Sequence, residues 1–290
     1  MKPIKRIGIF TSGGDAPGMN AAIRSITRTA NYYDLHVYGI FRGFEGMIDG
    51  EILRLETTDV SNIIHQGGTI LKTARSSRFL EKANRQKAFE NLQANDLDAV
   101  VAIGGNGTFT GASIFYKEFG FPMIGLPGTI DNDLYGTDFT IGFDTAVNTA
   151  IDAVDKIRDT ADSHDRLFLI EVMGRHSGYI ALYTAIASGA SAMLIPEHDE
   201  NIDQLVDEIK KSLKRKKLFS LVIVAEGNKI GPTHVIAELL KERVKEYEIK
   251  MTIIGHIQRG GSPSVADRIL SSRLGHAAVE ALLKGKQNCM

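Results

Sequence analysis

The chain has 290 residues, enough for one or two domains with a sizeable core. Hydrophobic residues make up 43% of it, charged residues 24%, and its formal net charge is -1, so we expect no nucleic-acid partner. The single cysteine, Cys289, excludes an internal disulfide and favours a reducing cytoplasm, and no apolar run is long enough to predict a membrane span.

Short apolar runs alternate with longer amphipathic stretches along the chain. We predict strands at residues 7–10, 36–40, 99–103, 122–126, 167–172, 192–195, 221–225 and 251–254, and helices such as 144–158, 202–214 and 234–247. This alternation is typical of βαβ units, and continuously apolar strands suit largely parallel sheets that are covered on both faces. The expected fold class is therefore α/β.

Two glycine-rich turns follow predicted strands. The first is TSGGDAPGMN at residues 11–20, followed by a helix from about Ala21, and the second is GGNGT at residues 104–108. Glycine lets backbone N–H groups approach a phosphate, and a helix N-terminus favours negative charge. Neither turn has the spacing of a P-loop or a dinucleotide fingerprint, and each alone could be a tight turn without a ligand. Together, after two parallel strands, they indicate a phosphate-binding crevice.

An acidic turn, PGTIDND, occupies residues 127–133. Of its two carboxylates, Asp131 and Asp133, one can accept a proton from an attacking hydroxyl while the other holds a metal, a pairing that phosphoryl transfer uses. The alternative is a solvated turn, since Asp and Asn are common turn residues. Basic residues beside glycines at strand ends are further candidates for clamping phosphate oxygens: Arg75, Arg166, Arg175, His256 and Arg259.

Taken together, these strings resemble the bacterial ATP-dependent 6-phosphofructokinase family, in the family's order and almost end to end. They are TSGGDAPGMNAAIR (11–24), GGTILKTAR (67–75), GGNG (104–107), PGTIDND (127–133), IRDTADS (157–163), EVMGR (171–175) and GHIQRGGSP (255–263). The resemblance implies two three-layer α/β domains with largely parallel sheets. A nucleotide-binding domain would comprise residues 1–138 plus 251–290, and a sugar-phosphate-binding domain residues 139–250. It also implies a homotetramer.

The resemblance further implies phosphorylation of fructose 6-phosphate by ATP with magnesium. Asp131 would be the general base, Thr129 and Asp133 would assist it, and Arg175 would stabilise the transition state. The nucleotide would be bound by Gly13, Arg75, Ser76, Gly105, Asn106, Gly107, Thr108 and Gly111, with Asn106 at the metal. The sugar phosphate would be bound by Thr129, Asp131, Asp133, Arg166, Met173, Gly174, Arg175, Glu226, Lys250, His256 and Arg259, of which Arg166 and Lys250 would reach a neighbouring subunit's site. An effector, ADP or phosphoenolpyruvate, would bind Arg24, Arg28, Arg54, Arg158 and Lys217.

The donor follows from two glycines. Pyrophosphate-using relatives tend to carry an acid at the position of Gly107 and a lysine at that of Gly128. Side chains there would fill the space of the α-phosphate, so glycine at both positions favours ATP.

The sequence departs from the family's pattern at several positions. Asn106 stands where the family has an aspartate beside magnesium; an amide binds that cation with one unit less of attraction. Lys250 replaces an arginine and keeps the charge but not the planar fork. Ser191 stands where enzymes activated by a nucleoside diphosphate have an acid that helps to bind the effector's metal, and Phe41 replaces a common tyrosine near the nucleotide. Both departures put activation by ADP in question. The family also continues beyond the position matching Gly285 with a strand and helices, so the sequence is either incomplete or leaves apolar surface uncovered.

Three alternatives remain open. NAD kinases and lipid kinases share a GGDGT-like turn but lack PGTIDND and EVMGR. A weakly active or non-catalytic regulatory subunit would explain Asn106, although the rest of the catalytic set is intact and we expect retained activity. A general nucleotide-binding module would not need Asp131 and Arg175 together.

Overall fold

The computed structural model describes residues 3–161, 166–199, 201–214 and 220–290. Its strands are β1 (Arg6–Thr11), β2 (His36–Ile40), β3 (Ile52–Leu55), β4 (Ala99–Gly104), β5 (Met123–Pro127), β6 (Arg166–Val172), β7 (Ala192–Leu194), β8 (Ser220–Ala225) and β9 (Glu248–Ile253). Its α-helices are α1 (Met19–Tyr32), α2 (Phe44–Asp49), α3 (Lys82–Ala94), α4 (Asn106–Phe119), α5 (Phe143–Ala161), α6 (Tyr179–Ser188), α7 (Ile202–Lys214), α8 (Thr233–Arg243) and α9 (Val265–Leu283). Short 3-10 turns lie at Arg78–Leu80 and Gly255–Arg259.

The chain divides into two compact units. Unit 1 comprises Met1–Thr129, Leu134–Gly142 and Arg259–Met290, and unit 2 comprises Ile130–Asp133 and Phe143–Gln258. Residues 251–258, which the sequence assigned to the nucleotide-binding domain, lie in unit 2, because β9 pairs with β6 and cannot be divided from that sheet. Residues 139–142 lie in unit 1, where Ile141 bridges Gly128. Which ligand each unit binds stays a prediction.

The sheet of unit 1 has the order β3-β2-β1-β4-β5, with β3 antiparallel and the other strands parallel. Its central strands β1 and β4 are almost wholly buried, which explains their continuous apolar runs. One side of the sheet is packed by aromatic rings, among which Phe44 and Phe79 stack with centroids 3.9 Å apart. Burial of these rings supplies much of the unit's apolar stabilisation.

The sheet of unit 2 is parallel throughout its described strands, in the order β7-β8-β6-β9. Its core packs Leu167, Leu169, Val222 and Val224 of the sheet against the apolar side of α7 and α8. Helix α7 starts with a reciprocal cap, because the backbone N–H of Asn201 donates to Gln204 while the N–H of Gln204 donates to the Asn201 side chain.

The predicted α/β class with largely parallel sheets is confirmed, but three details were wrong. Strand β3 was not predicted, because it is a short edge strand whose Leu53 is exposed and it contains no continuous apolar run. The helix predicted at 234–247 ends at Arg243, and the strand predicted at 251–254 begins earlier, at Glu248. In the part of the chain that the structure describes, no helix has the length and apolar character needed to cross a membrane.

Candidate active site

In unit 1, the first glycine turn begins where β1 ends. Gly13 has a φ of 89°, a conformation that favours glycine, and its N–H donates to the carbonyl of Ala74 over 3.4 Å. At Gly14 a side chain would overlap the guanidinium of Arg259, whose Nη1 donates to the carbonyl of Asp15 over 3.3 Å. A side chain at position 14 would therefore require this guanidinium to move.

The second turn joins β4 to α4 and touches the first. A side chain at Gly104 would lie 2.6 Å from the carbonyl oxygen of Ser12, and the hydroxyl of Thr108 donates to that oxygen over 3.3 Å. Asn106 and Gly107 form the exposed first turn of α4. The first N–H groups of a helix have no intrahelical acceptor, so this end of α4 is suited to an anion.

Two of the predicted nucleotide residues of unit 1 have packing roles. The hydroxyl of Ser76 donates to Oε1 of Glu45 over 2.5 Å and accepts from the N–H of Phe79. A Cβ at Gly111 would lie 3.0 Å from the Phe44 ring, so glycine there allows α4 to approach the aromatic core. Their proposed contact with the nucleotide stays untested, but structure alone accounts for both residue types.

The acidic turn continues from the end of β5. Its first part belongs to unit 1, where the N–H of Gly128 donates to the carbonyl of Gly104 over 2.9 Å and Thr129 accepts from the hydroxyl of Thr140. The following residues belong to unit 2. Asp131 is 5% exposed, whereas Asp133 is exposed, so the two carboxyl groups have different environments. A buried carboxylate and an exposed one fit the predicted division of labour between base and assistant.

In unit 2, a strained turn follows β6. Arg175 has a φ of 54°, unusual for a residue other than glycine, and its N–H donates to Oε1 of Glu226 over 2.7 Å. A side chain at Gly227 would overlap the carbonyl oxygen of Arg175. The side chain of Arg175 is exposed. Glu226, predicted as a sugar ligand, therefore also holds the backbone of the predicted catalytic arginine.

Arg166 and Lys250 share one carboxylate on adjacent strands of unit 2. Nε of Arg166 lies 2.8 Å from one oxygen of Glu248, and Nζ of Lys250 lies 2.5 Å from the other. The two cations, Lys250 first, lower the pKa of Glu248 to about 2. Glu248 thus remains charged at neutral pH and forms ion pairs with both Arg166 and Lys250, the basic residues predicted to reach a neighbouring subunit.

The predicted effector residues have different environments. Arg24 and Arg28 lie one turn apart on α1, and burial, together with the charge of Arg28, lowers the pKa of Arg24. Arg54 pairs with Glu56 at 2.8 Å. In unit 2, Arg158 donates to the carbonyl of Ser188 at the end of α6. Lys217 lies outside the described residues.

Each unit gathers one part of the predicted site. Unit 1 holds Gly13, Arg75, Ser76, Gly105, Asn106, Gly107, Thr108, Gly111, Thr129, Arg259, Arg24, Arg28 and Arg54. Unit 2 holds Asp131, Asp133, Arg166, Met173, Gly174, Arg175, Glu226, Lys250, His256 and Arg158. His256 is exposed in the 3-10 turn Gly255–Arg259.

Sequence reasoning missed two buried amides. Gln258, fully buried, accepts from the N–H of Met173 over 2.9 Å and so fixes the start of the EVMGR turn from within unit 2. Asn20, 1% exposed, bonds three backbone groups of residues 66–70 in unit 1. Both lie inside strings that carry the resemblance. Those strings are longer than the obvious binding residues require, and this extra length was the available signal.

Comparison with known proteins gives matches over nearly the whole chain. Residues 6–282 match the family model described as Phosphofructokinase. The chain is 56% identical over 290 residues to ATP-dependent 6-phosphofructokinase 2 of Bacteroides thetaiotaomicron, covering 100% of this chain and 89% of that protein. It is 54% identical over 287 residues to ATP-dependent 6-phosphofructokinase of Cytophaga hutchinsonii, covering 99% and 88%.

Among solved structures, the chain resembles Pichia pastoris phosphofructokinase in the T-state, with a TM-score of 0.93 and 38% sequence identity. The match covers 99% of this chain and 33% of that longer chain. The fold of the chain is thus that of a phosphofructokinase.

Proposed function

The chain belongs to the phosphofructokinase family, and we propose that it transfers the terminal phosphoryl group of ATP to fructose 6-phosphate, giving fructose 1,6-bisphosphate. The observation that carries this proposal is 54–56% identity, over 99–100% of the chain, to two proteins named as ATP-dependent 6-phosphofructokinases. Asn106 is the feature that a non-catalytic regulatory subunit would explain, but nothing supports that alternative over an active enzyme.

The residues of unit 1 suit the nucleotide. Its phosphates would lie against the exposed N-terminus of α4 and the turn after β1, where backbone N–H groups and the helix dipole favour anions. The exposed guanidinium of Arg75 would neutralise phosphate charge. These groups bind and orient the donor, which is most of what a phosphoryl-transfer enzyme does.

The residues of unit 2 suit the acceptor. Buried Asp131 would take the proton of the attacking sugar hydroxyl, and exposed Arg175 would stabilise the negative charge that develops on the transferred group. Glu226 and Gln258 keep the turn that carries Arg175 in place.

Magnesium fits this site only as a companion of the nucleotide. Within the described ranges, no group of three or more His, Cys, Asp or Glu side chains is placed to hold a metal ion. Magnesium is often bound by few protein groups together with substrate phosphates, and Asn106, an exposed residue in the first turn of α4, would supply a neutral amide oxygen. When bound, the ion would neutralise charge on the transferred phosphoryl group.

Further features of the family are part of the proposal: a homotetramer, a cytoplasmic location, and an effector that binds the paired arginines of α1. Arg24 and Arg28 support an anion site, because two like charges one turn apart are relieved by a phosphate. ADP and phosphoenolpyruvate are the effectors to test, each by its shift of the fructose 6-phosphate saturation curve.

A kinase assay tests the proposed activity. The purified chain is assayed with fructose 6-phosphate and either ATP or pyrophosphate while magnesium is titrated. We expect turnover with ATP, and Asp131→Asn should reduce kcat by about two to four orders of magnitude, the usual contribution of a general base. Absence of turnover at every magnesium concentration, or equal turnover with pyrophosphate, would contradict the proposal.

A further inference from the structure

A segment without regular secondary structure leads to Arg75 in unit 1. We call residues 66–74 the strap; they precede Arg75 directly and form neither helix nor strand. Such a segment has no regular backbone ladder to fix it. Single backbone bonds, such as that from the N–H of Arg42 to the carbonyl of Leu71 over 2.9 Å, and side chains that satisfy its other polar groups therefore hold it in place.

Asn20 supplies the first set of these bonds. Its amide nitrogen donates to the carbonyls of Gln66 and Gly67 over 3.2 and 3.1 Å, and its amide oxygen accepts from the N–H of Ile70 over 2.8 Å. The side chain is 1% exposed, so water cannot replace these partners. Asn20 lies in the first turn of α1, and it therefore ties the start of the strap to that helix.

Two threonines fix the rest of the strap. The hydroxyl of Thr11, at the end of β1, donates to the carbonyl of Lys72 over 2.8 Å. The hydroxyl of Thr73 donates to the carbonyl of Gly13 over 2.9 Å, and the N–H of Gly13 donates back to the carbonyl of Ala74. The residue next to Arg75 is thus bonded to the glycine turn itself.

From these contacts we propose that Asn20 is a positioning residue for the nucleotide. It holds the strap, which is bonded to the turn at Gly13 through Ala74, so that Arg75 is presented in a fixed position to the phosphates of ATP. Asn20 itself touches no ligand, and its effect passes through Arg75. This inference rests on the proposed function, because that function gives Arg75 its ligand.

The test is a double-mutant cycle on ATP affinity. Dissociation constants for ATP with magnesium are measured by calorimetry for the wild type, Asn20→Ala, Arg75→Ala and the double variant. We expect Asn20→Ala to weaken binding about tenfold, as the loss of a buried hydrogen-bonding group does, and the double variant to bind no more weakly than Arg75→Ala. Full additivity, or an unchanged affinity in either single variant, would overturn the proposal.

The chain offers a matched control. Asn91 also donates from its amide to two consecutive carbonyls of unit 1, those of Met47 and Ile48, but it does not contact the strap. Asn91→Ala should lower thermal stability comparably and leave ATP affinity unchanged; an equal loss of affinity would mean that Asn20 acts only on overall stability.

Two further measurements keep the test decisive. If Asn20→Ala does not fold, Asn20→Leu preserves the branched shape of the side chain and removes both donors without burying a charge. It should weaken ATP binding at least as much, and unchanged affinity would contradict the proposal. Turnover of the wild type with fructose 6-phosphate is measured separately. If the wild type turns over fructose 6-phosphate but the cycle is additive, only the positioning role of Asn20 is refuted. If the wild type shows no turnover, the proposed function is refuted.

Discussion

At the scale of single residues, the sequence predicts many candidate binding and catalytic residues but not the contacts that hold them in place. Arg175 was identified from the string EVMGR, yet its positive φ and its bond to Glu226 are visible only in three dimensions. Spacing along the chain carries no information on that pairing, because Glu226 follows a different strand, β8. The same is true of the bond between Glu248 and Arg166, which depends on the register of β6 with β9, whereas Lys250 lies two residues from Glu248 on the same strand.

Glu226 therefore has two separable roles to test. Glu226→Gln keeps an oxygen that can accept from the N–H of Arg175, whereas Glu226→Ala removes it. If positioning dominates, kcat should fall about tenfold in the alanine variant and be largely retained in the glutamine variant, with similar KM for fructose 6-phosphate. Steady-state kinetics decide this. A higher KM in both variants, at unchanged kcat, would identify a direct sugar contact instead.

Asn106 gives the second prediction at this scale. It is exposed in the first turn of α4, where a carboxylate is favoured by the helix dipole, so Asn106→Asp should fold normally. We expect the variant to need less magnesium, to have a higher kcat, or both, with a gain of about 1–3 kcal/mol for one charge-assisted contact.

Magnesium titration of kcat measures this effect. Asn84→Asp, which adds the same charge to the first turn of α3 in unit 1, is the control and should leave the magnesium requirement unchanged. Identical titrations for wild type and Asn106→Asp would show that residue 106 is not at the metal.

At the scale of elements, prediction succeeded where burial is uniform. The continuous apolar runs of β1, β4, β6 and β8 were identified because these strands are covered on both faces. Strand β3 was missed, since an edge strand of four residues is stabilised by pairing with β2 rather than by an apolar run of its own. The string GGTILKTAR, which covers most of the strap, was identified, but its attachment was not, since that comes from contacts with β1, α1 and the turn at Gly13, which are distant in sequence.

The two glycines on which the prediction of ATP as donor depends, Gly107 and Gly128, have different surroundings. Among the described residues, nothing lies within 4 Å of a Cβ added at Gly107, so an aspartate fits there. A Cβ at Gly128 would lie 2.9 Å from Cγ2 of Ile103 and 3.1 Å from Cε of Met19. Packing within unit 1 therefore disfavours a side chain at position 128 of this chain, whatever the donor is.

We expect Gly107→Asp to weaken the use of ATP, with KM raised about tenfold or more, at an almost unchanged melting temperature, because only the added charge opposes the nucleotide's phosphates. Gly128→Ala should lower the melting temperature by about 2–5 °C, the result of roughly 1–3 kcal/mol of overpacking in a chain of this size. Kinetics and thermal melts of both variants separate the two effects. A stable Gly128→Ala variant would refute the packing argument, and an unchanged KM in Gly107→Asp would refute the role of residue 107 in donor choice.

At the scale of the whole molecule, several carboxylates are bound to arginine or lysine, which lowers their pKa. In unit 1, hydrogen bonds from Arg85 lower the pKa of Glu118, and those from Arg78 lower the pKa of Asp49. In unit 2, Lys250 and Arg166 lower the pKa of Glu248 to about 2. A carboxyl group whose pKa is lower in the folded state takes up protons on unfolding, so it stabilises the fold above its unfolded pKa.

This contribution must disappear as the pH falls. For Glu248 the loss runs from about pH 4.5, its usual pKa, to about 2, its folded pKa. The ion pair of Glu118 with Arg85 is less exposed than the pairs of Glu248. The side chains of Arg85 and Glu118 are 10% and 22% exposed, whereas that of Glu248 is 54% exposed. Solvent and salt screen exposed pairs strongly, so the Glu118 pair should contribute more to stability than the Glu248 pair.

Thermal melts between pH 7 and pH 3 test this ranking with Glu118→Gln and Glu248→Gln. At pH 7 and low salt we expect the melting temperature of Glu118→Gln to lie well below that of the wild type, and that of Glu248→Gln to differ little. The difference in melting temperature between Glu118→Gln and the wild type should narrow towards pH 3, since protonation of Glu118 abolishes the same interaction. It should persist at 0.5 M salt, where the Debye length of about 4 Å is short compared with the separation of exposed charges. A difference that stays constant with pH would show that the glutamine variant acts through packing and not through charge.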